Sequence, residues 1–139
     1  MNATITWVAD AMFVASAGSG HSVVMDGPSD HGGKNQGVRP MEMVLMGLGG
    51  CTAFDVVDIL RKARQPVQDC RVELTAERAD AVPAVFTKIH IRFIVAGRGL
   101  MAKQVARAVD LSATKYCSAA LMLERGGVQI THDHEIVEA

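Results

Sequence analysis

The stretch LMGLGGCTAFDVV, residues 45–57, decides how the rest of the sequence is interpreted. Its apolar residues predict a helix, yet three glycines stand within it directly ahead of Cys51. Each interior glycine costs about 1 kcal/mol of helix stability relative to alanine. A residue without a side chain lets a second backbone or a small substrate approach closely, so the glycines predict open space around the Cys51 thiol. The alternative is a tight helix contact beside an inert, buried cysteine.

The apolar spacing continues on both sides of this stretch and predicts one long central helix. Pro40 suits a first helical turn and Pro66 stops a helix, so we expect it to run from Pro40 to about Arg64. Alternation with a period of two predicts a half-buried hairpin after it. The predicted order is α+β, with helices packed on an antiparallel sheet: strands in 3–8, 11–17 and 21–26, the helix, strands in 70–79 and 86–97, helices in 100–114 and 116–127, and a strand in 128–139.

Length and composition predict a single domain, residues 1–139, with a sizeable core, because 49% of the residues are hydrophobic and 21% charged. Fourteen basic and fifteen acidic residues give no electrostatic reason to bind nucleic acid or an acidic membrane. The N-terminus lacks the basic and apolar regions of a signal peptide, so we expect a cytoplasmic protein. In that compartment its three cysteines stay thiols unless they cycle.

The central helix is also the one candidate membrane span, from Met43 to Leu60. Asp55, Asp58 and the glycines interrupt its apolar character, which favours a buried core helix and no membrane association.

Cys51 and Cys117 are the first pair of residues that could carry chemistry. A thiolate can attack the O–O bond of a peroxide to give a sulfenic acid, and a second thiol can condense with it to a disulfide. The alternative is that both are small core residues. Cys70 opens a strand without a glycine-rich approach, so we interpret it as structural.

Arg39 and Glu42 stand at the start of the central helix. Glu42 there favours the helix dipole, so capping is one interpretation; the other is that it orients an arginine that stabilises a thiolate. Nine positions separate Glu42 from Cys51, which is roughly 13 Å along a helix and places them on opposite sides. If they share a site, Glu42 comes from a second subunit or acts through an intermediary residue.

The triplet HDH, residues 132–134, would place two imidazoles on one strand face. Two ligands rarely suffice for zinc, so a solvated strand face is the favoured interpretation, and we expect no metal and no cofactor.

RPMEMVLMGLGGC, residues 39–51, and YCSAALML, residues 116–123, resemble the family of osmotically induced protein C and organic hydroperoxide resistance proteins (OsmC/Ohr). The resemblance covers nearly the whole chain and is closest to an uncharacterised OsmC-like branch. It implies antiparallel sheets around a long central helix in an intertwined homodimer. It further implies reduction of small organic hydroperoxides, with a thiol or lipoyl group as the reductant.

By the same resemblance, Cys51 is the peroxidatic cysteine, Cys117 the resolving cysteine and Glu42 the carboxylate at the helix start. The catalytic arginine of the family lies between the first strands, where this sequence has no basic residue. We therefore hypothesise that Arg39, oriented by Glu42, replaces it across the dimer interface. Two functions follow: a thiol-dependent peroxidase, or a non-peroxidatic redox sensor or small-ligand binding protein of the same fold.

Overall fold

In this computed structural model, which describes residues 1–139, the chain forms six β-strands and three α-helices. The strands are β1 (Ala3–Ala9), β2 (Met12–Ala17), β3 (Ser22–Met25), β4 (Val67–Arg78), β5 (Phe86–Gly97) and β6 (Gln129–Glu138). The helices are α1 (Pro40–Lys62), α2 (Ala102–Leu111) and α3 (Ser118–Arg125). This confirms the predicted α+β order of elements.

The contacts of the chain fall into two compact units, Met1–Val44 and Leu45–Ala139. Helix α1 begins in the first unit and continues into the second. The interpretation of residues 1–139 as a single domain stays a prediction.

The first unit contains an antiparallel sheet in the order β1-β2-β3. No apolar side chain of residues 1–44 is buried, and every residue of β1 is exposed. Trp7 is 65% exposed although it is the largest apolar side chain of the sequence. The same unit exposes several other large apolar side chains, namely Ile5, Val8, Phe13, Val23 and Val24.

Asp26 is the one buried residue of the first unit, and it organises the loop that leads to α1. Its carboxylate accepts hydrogen bonds from the backbone N–H groups of Gly27, Lys34 and Gln36 at 2.7, 3.2 and 3.1 Å. Burial acts to raise the pKa of Asp26, but these backbone hydrogen bonds outweigh it and lower the pKa below its ordinary value.

The second unit is built on a sheet in the order β4-β5-β6. From Ile89 onward, strand β5 alternates between buried and half-buried residues, as the predicted period of two requires. The buried face is apolar and contains Ile89, Ile91, Phe93 and Val95, all at most 1% exposed. Helix α2 adds Val105, Ala108 and Val109 to the buried apolar residues.

The expectation of an antiparallel sheet is wrong for β6. Strand β4 pairs antiparallel with β5, as predicted for a hairpin, but β6 pairs with β5 in parallel over its whole length. Parallel neighbours need a long crossover, and α2 and α3 supply one by returning the chain to the start of β5.

Helix α1 ends at Lys62, slightly before the predicted end near Arg64. Arg64 itself has a φ of 56°, the left-handed conformation that ends a helix, and Pro66 follows. The amphipathic pattern of residues 100–114 also ends early, because α2 stops at Leu111.

The glycines of α1 have two different surroundings. A Cβ on Gly49 would lie 2.7 Å from Cδ1 of Leu74, so this glycine permits close packing of α1 against β4. Gly47 and Gly50 are exposed, and a Cβ on either would meet nothing within 4 Å. Open space therefore exists beside Gly50, the residue that precedes Cys51.

Helix α1 is long and apolar enough to cross a membrane, with a mean hydropathy of 1.7 over its most apolar window. Buried core helices of soluble proteins have the same length and hydropathy, but only 28% of this window is buried, so the expectation of a buried core helix is wrong for a single chain. Asp55 and Asp58 lie within the helix. Membrane association and compartment stay predictions.

Candidate active site

Cys51, Asp55 and Cys117 come together in the second unit. The two sulfur atoms and a carboxylate oxygen of Asp55 all lie within 4.8 Å of one another. Cys51 and Asp55 are half-buried, whereas Cys117 is buried. Both cysteines are free thiols in this structure. The structure thus brings together the two cysteines that the sequence singled out, although they are far apart in the chain.

The local backbone explains why the two sulfurs meet. Cys51 and Asp55 lie one turn apart on α1, so their side chains share one face of the helix. After α2, residues Ser112–Tyr116 form a π-helical turn, and the N–H of Cys117 donates to the carbonyl of Ser112 at 2.9 Å. Cys117 then adopts an extended conformation as the N-cap of α3. Turns of this kind are frequent at functional sites.

Cys117 accepts a hydrogen bond at its sulfur from the backbone N–H of Ala120, 3.4 Å away. Burial raises the pKa of the Cys117 thiol to about 11, and the neighbouring Cys51 and Asp55 also raise it, while the Ala120 N–H acts in the opposite direction. Cys117 is therefore a neutral thiol at neutral pH. Cys51 is the more exposed of the two cysteines.

Two buried hydroxyl groups, those of Thr52 and Ser112, lie next to this cluster and are hydrogen-bonded to each other. Oγ1 of Thr52 and Oγ of Ser112 lie 2.7 Å apart, and Oγ of Ser112 also donates to Oδ2 of Asp55 at 3.3 Å. Thr52 is 1% and Ser112 0% exposed. The hydrogen bonds join α1 to the π-helical turn, so they tie the helix that carries Cys51 to the segment that precedes Cys117.

A cavity of about 340 Å³ lies beside the cluster and is lined by Asp55, Asp58, Ile59, Lys62 and Tyr116. Asp58 forms an ion pair with Lys62 at 2.7 Å, so one of the two carboxylates that line the cavity already has a cationic partner. The cavity volume suits a small molecule.

The structure places Arg39 and Glu42 in the first unit, in a different arrangement from the expected one. Oε1 of Glu42 accepts a hydrogen bond from the backbone N–H of Arg39 at 2.8 Å, which is the capping contact of a helix N-terminus. The guanidinium of Arg39 donates instead to the carbonyl of Gly37 at 3.0 Å. Within one chain Glu42 therefore contacts the backbone of Arg39 and not its guanidinium, and the role of both residues across a dimer interface stays a prediction.

Cys70 and the two histidines lie outside the cluster. Cys70 is half-buried on β4, and burial, aided by the charge of Asp69, raises the pKa of its thiol. His132 and His134 lie on β6 without a third metal-ligating side chain beside them. Asp133, between them, instead pairs with His90 and Arg92 on β5.

Asp55 and Ser112 are site residues that the sequence analysis missed. The spacing of Cys51 and Asp55, four apart on a predicted helix, was a usable signal, because residues at i and i+4 are neighbours. No comparable signal marked Ser112, since its position depends on the π-helical turn.

Comparisons with known proteins agree with this architecture. A family model described as OsmC-like protein matches residues 33–133. Protein YhfA of Escherichia coli strain K12 is 53% identical over 139 residues, which is 100% of both chains. A solved structure from structural genomics is 52% identical, with a TM-score of 0.90 and 100% of both chains covered.

A more distant structural neighbour is the organic hydroperoxide resistance protein OsmC of Legionella pneumophila. It is 12% identical, with a TM-score of 0.69, over 96% of this chain and 95% of that one. At this identity the likeness concerns the fold alone. The family model and the extent of identity to YhfA lead to one conclusion: this chain belongs to the OsmC-like protein family.

Proposed function

We propose that this protein is a thiol-dependent peroxidase that reduces small organic hydroperoxides through Cys51 and Cys117. The observation that carries the proposal is the position of the two sulfur atoms, which lie within 4.8 Å of each other. A pair that forms a disulfide must come this close, and an accessible sulfur beside a buried one suits a peroxidatic and a resolving thiol. The Legionella protein, which shares the fold at 12% identity, is described as an organic hydroperoxide resistance protein, so the proposed activity is compatible with this fold.

The chemistry proceeds in three balanced steps. The Cys51 thiolate attacks the O–O bond, an S–O bond forms, and the alkoxide leaves and takes up a proton to give an alcohol. The Cys117 thiol then attacks the sulfenic sulfur, an S–S bond forms, and water leaves. A dithiol, either a small thiol reagent or a lipoyl group, supplies two electrons and two protons to restore both thiols.

A homodimer is part of the proposal. Residues 1–44 bury no apolar side chain, and only 28% of the most apolar window of α1 is buried. A unit without a buried apolar side chain has no hydrophobic core of its own, so a second copy is expected to cover this surface. Exposed Gly47 and Gly50 would let its backbone approach α1 closely.

Arg39 and Glu42 act in this proposal through the dimer. Glu42 fixes the backbone of Arg39 by capping, and the Arg39 guanidinium leaves Gly37 to stabilise the Cys51 thiolate across the interface. Arg39→Ala should slow alkylation of Cys51 by iodoacetamide at neutral pH, whereas Arg64→Ala, at the other end of α1, should not. Alkylation of Arg39→Ala at the wild-type rate and pH midpoint would remove Arg39 from the mechanism.

The direct test is consumption of cumene hydroperoxide with dithiothreitol or a dihydrolipoyl protein as reductant. We expect Cys51→Ser to abolish turnover and the control Cys70→Ser to turn over like wild type. Cys117→Ser should accumulate the Cys51 sulfenic acid when peroxide is added without a reductant. Peptide mapping of peroxide-treated protein should find a Cys51–Cys117 disulfide. Disulfide formation without turnover would favour the redox sensor, and a disulfide that includes Cys70 would contradict the assignment of the pair.

A further inference from the structure

The geometry points to a zinc-binding site formed by Cys51, Asp55 and Cys117. The site uses the same sulfurs as peroxide reduction but a different property of them, their ability to ligate a metal as thiolates. Zinc binding itself does not depend on the proposed peroxidase activity.

The donor set fits a borderline-soft divalent ion. Zinc binds thiolate sulfur and carboxylate oxygen and is commonly held by three protein ligands when a fourth position stays open. Magnesium and calcium prefer sites made only of oxygen, and Cu(I) prefers sulfur without a carboxylate. Two sulfurs and one carboxylate oxygen therefore favour zinc.

The distances between the three ligand atoms also fit a zinc site. Two sulfurs bound to one tetrahedral zinc lie about 3.8 Å apart, since each Zn–S bond is about 2.3 Å long. The three ligand atoms here lie within 4.8 Å of one another, so side-chain rotations suffice to close the site. Because Cys51 and Asp55 are only half-buried, solvent can reach the fourth position.

Two of the three ligands already have outer hydrogen bonds that would orient them toward a metal. The N–H of Ala120 donates to Sγ of Cys117, and the hydroxyl of Ser112 donates to Oδ2 of Asp55. Outer contacts of this kind fix the ligands of metal sites and raise metal affinity. The buried Thr52 hydroxyl holds Ser112 in turn.

Binding is a balanced exchange of protons for metal. Each thiol loses its proton as its sulfur forms a bond to Zn²⁺, so two protons leave for each ion bound through both cysteines. Oxidation to the disulfide removes both thiolate ligands and must release the ion. If the proposed peroxidase activity holds, zinc is also a reversible inhibitor, because the bound sulfurs cannot attack a peroxide.

The test is titration of the reduced protein with Zn²⁺ by calorimetry, and with Cd²⁺ as a probe whose thiolate bonds give a charge-transfer band in the ultraviolet. We expect one ion per chain. Cys51→Ser and Cys117→Ser should each lose the cadmium band, and Asp55→Asn should bind zinc roughly 10- to 100-fold more weakly. The matched controls Cys70→Ser and Asp58→Asn should bind like wild type.

The site would be refuted if reduced wild type bound no zinc saturably, or if Cys70→Ser lost binding as Cys51→Ser does. Wild-type affinity in Asp55→Asn would remove the carboxylate from the site. For a variant that does not fold, wild type alkylated at Cys51 serves instead and should bind no zinc. Turnover is assayed separately with a chelator present, so a protein that binds zinc but does not reduce peroxide would contradict only the proposed function.

Discussion

At the scale of single residues, Asp26 shows how one buried carboxylate can hold a loop together. It accepts three backbone hydrogen bonds from a loop rich in glycine, which would otherwise have many accessible conformations. The carboxylate must be ionised to accept all three. Its contribution to stability therefore depends on pH.

We expect this contribution to be present at neutral pH and lost in acid. The pKa of folded Asp26 is lowered, whereas the pKa of the unfolded carboxyl is about 3.9. The stabilisation is therefore complete above that value and disappears as the pH falls through the lower folded value. Urea unfolding of wild type and Asp26→Asn should differ at pH 7, and the difference should shrink toward pH 3. A difference that does not change with pH would mean that the charge of Asp26 has no role.

The residues of the candidate site could be predicted only in part. Cys51 and Cys117 were identified from the sequence, because only three side chains of this protein are thiols and could carry this chemistry. For Glu42, capping was one of two interpretations, and the hydrogen bond to the Arg39 backbone bears it out. Asp55 was treated only as a charge that breaks an apolar run. Its position beside two sulfurs depends on the return of the chain through the π-helical turn, which no local pattern encodes.

At the scale of elements, local periodicity predicted the helices and strands but not how distant strands pair. The bounds of β5 and the start of α1 follow from spacing, prolines and alternation within each segment. Strand β4 begins at Val67, so the expectation that Cys70 opens this strand is wrong. The direction of β6 relative to β5 depends instead on the path of the chain through α2 and α3. A strand has the same alternation in either direction, so the sequence pattern of β6 could not distinguish the two.

The contact between α1 and the π-helical turn gives a prediction at this scale. Ser112→Ala leaves the Thr52 hydroxyl buried without its partner, which should lower the free energy of unfolding by about 1–3 kcal/mol. The double variant Thr52→Val/Ser112→Ala removes both polar groups and should lose less than the sum of the single variants. Chemical unfolding measures all three. Additive losses would mean that the two hydroxyls do not act as a pair.

At the scale of the whole molecule, the exposed apolar surface is the largest departure from an ordinary soluble monomer. Phe54 on α1 is 74% exposed, in addition to the uncovered first sheet. Obligate homodimers bury upward of about 2,000 Å² of largely apolar surface. The intertwined homodimer that the family resemblance implies would account for this exposure, whereas alternation within the strands alone predicts one buried face and could not reveal it.

We therefore expect a dimer by light scattering at micromolar concentration, with a melting temperature that rises with protein concentration. Phe54→Glu should shift the population toward monomer, because it places a charge within the apolar surface. Val82→Glu, at a fully exposed position in the loop after β4, is the matched control and should remain dimeric. A wild-type monomer would contradict both the dimer and the role of Arg39.

The π-helical turn at Ser112–Tyr116 also decides in which direction the chain presents Cys117. Its hydrogen bond spans five residues where an α-helix spans four, so the turn contains one residue more than a regular helix would hold. A regular α-helix over the same residues would direct the N–H of Cys117 to the carbonyl of Ala113 instead of Ser112 and would turn Cys117 by about 100° around the axis. Cys117 would then point away from Cys51, and both cysteines would still be present in the sequence while the pair no longer existed.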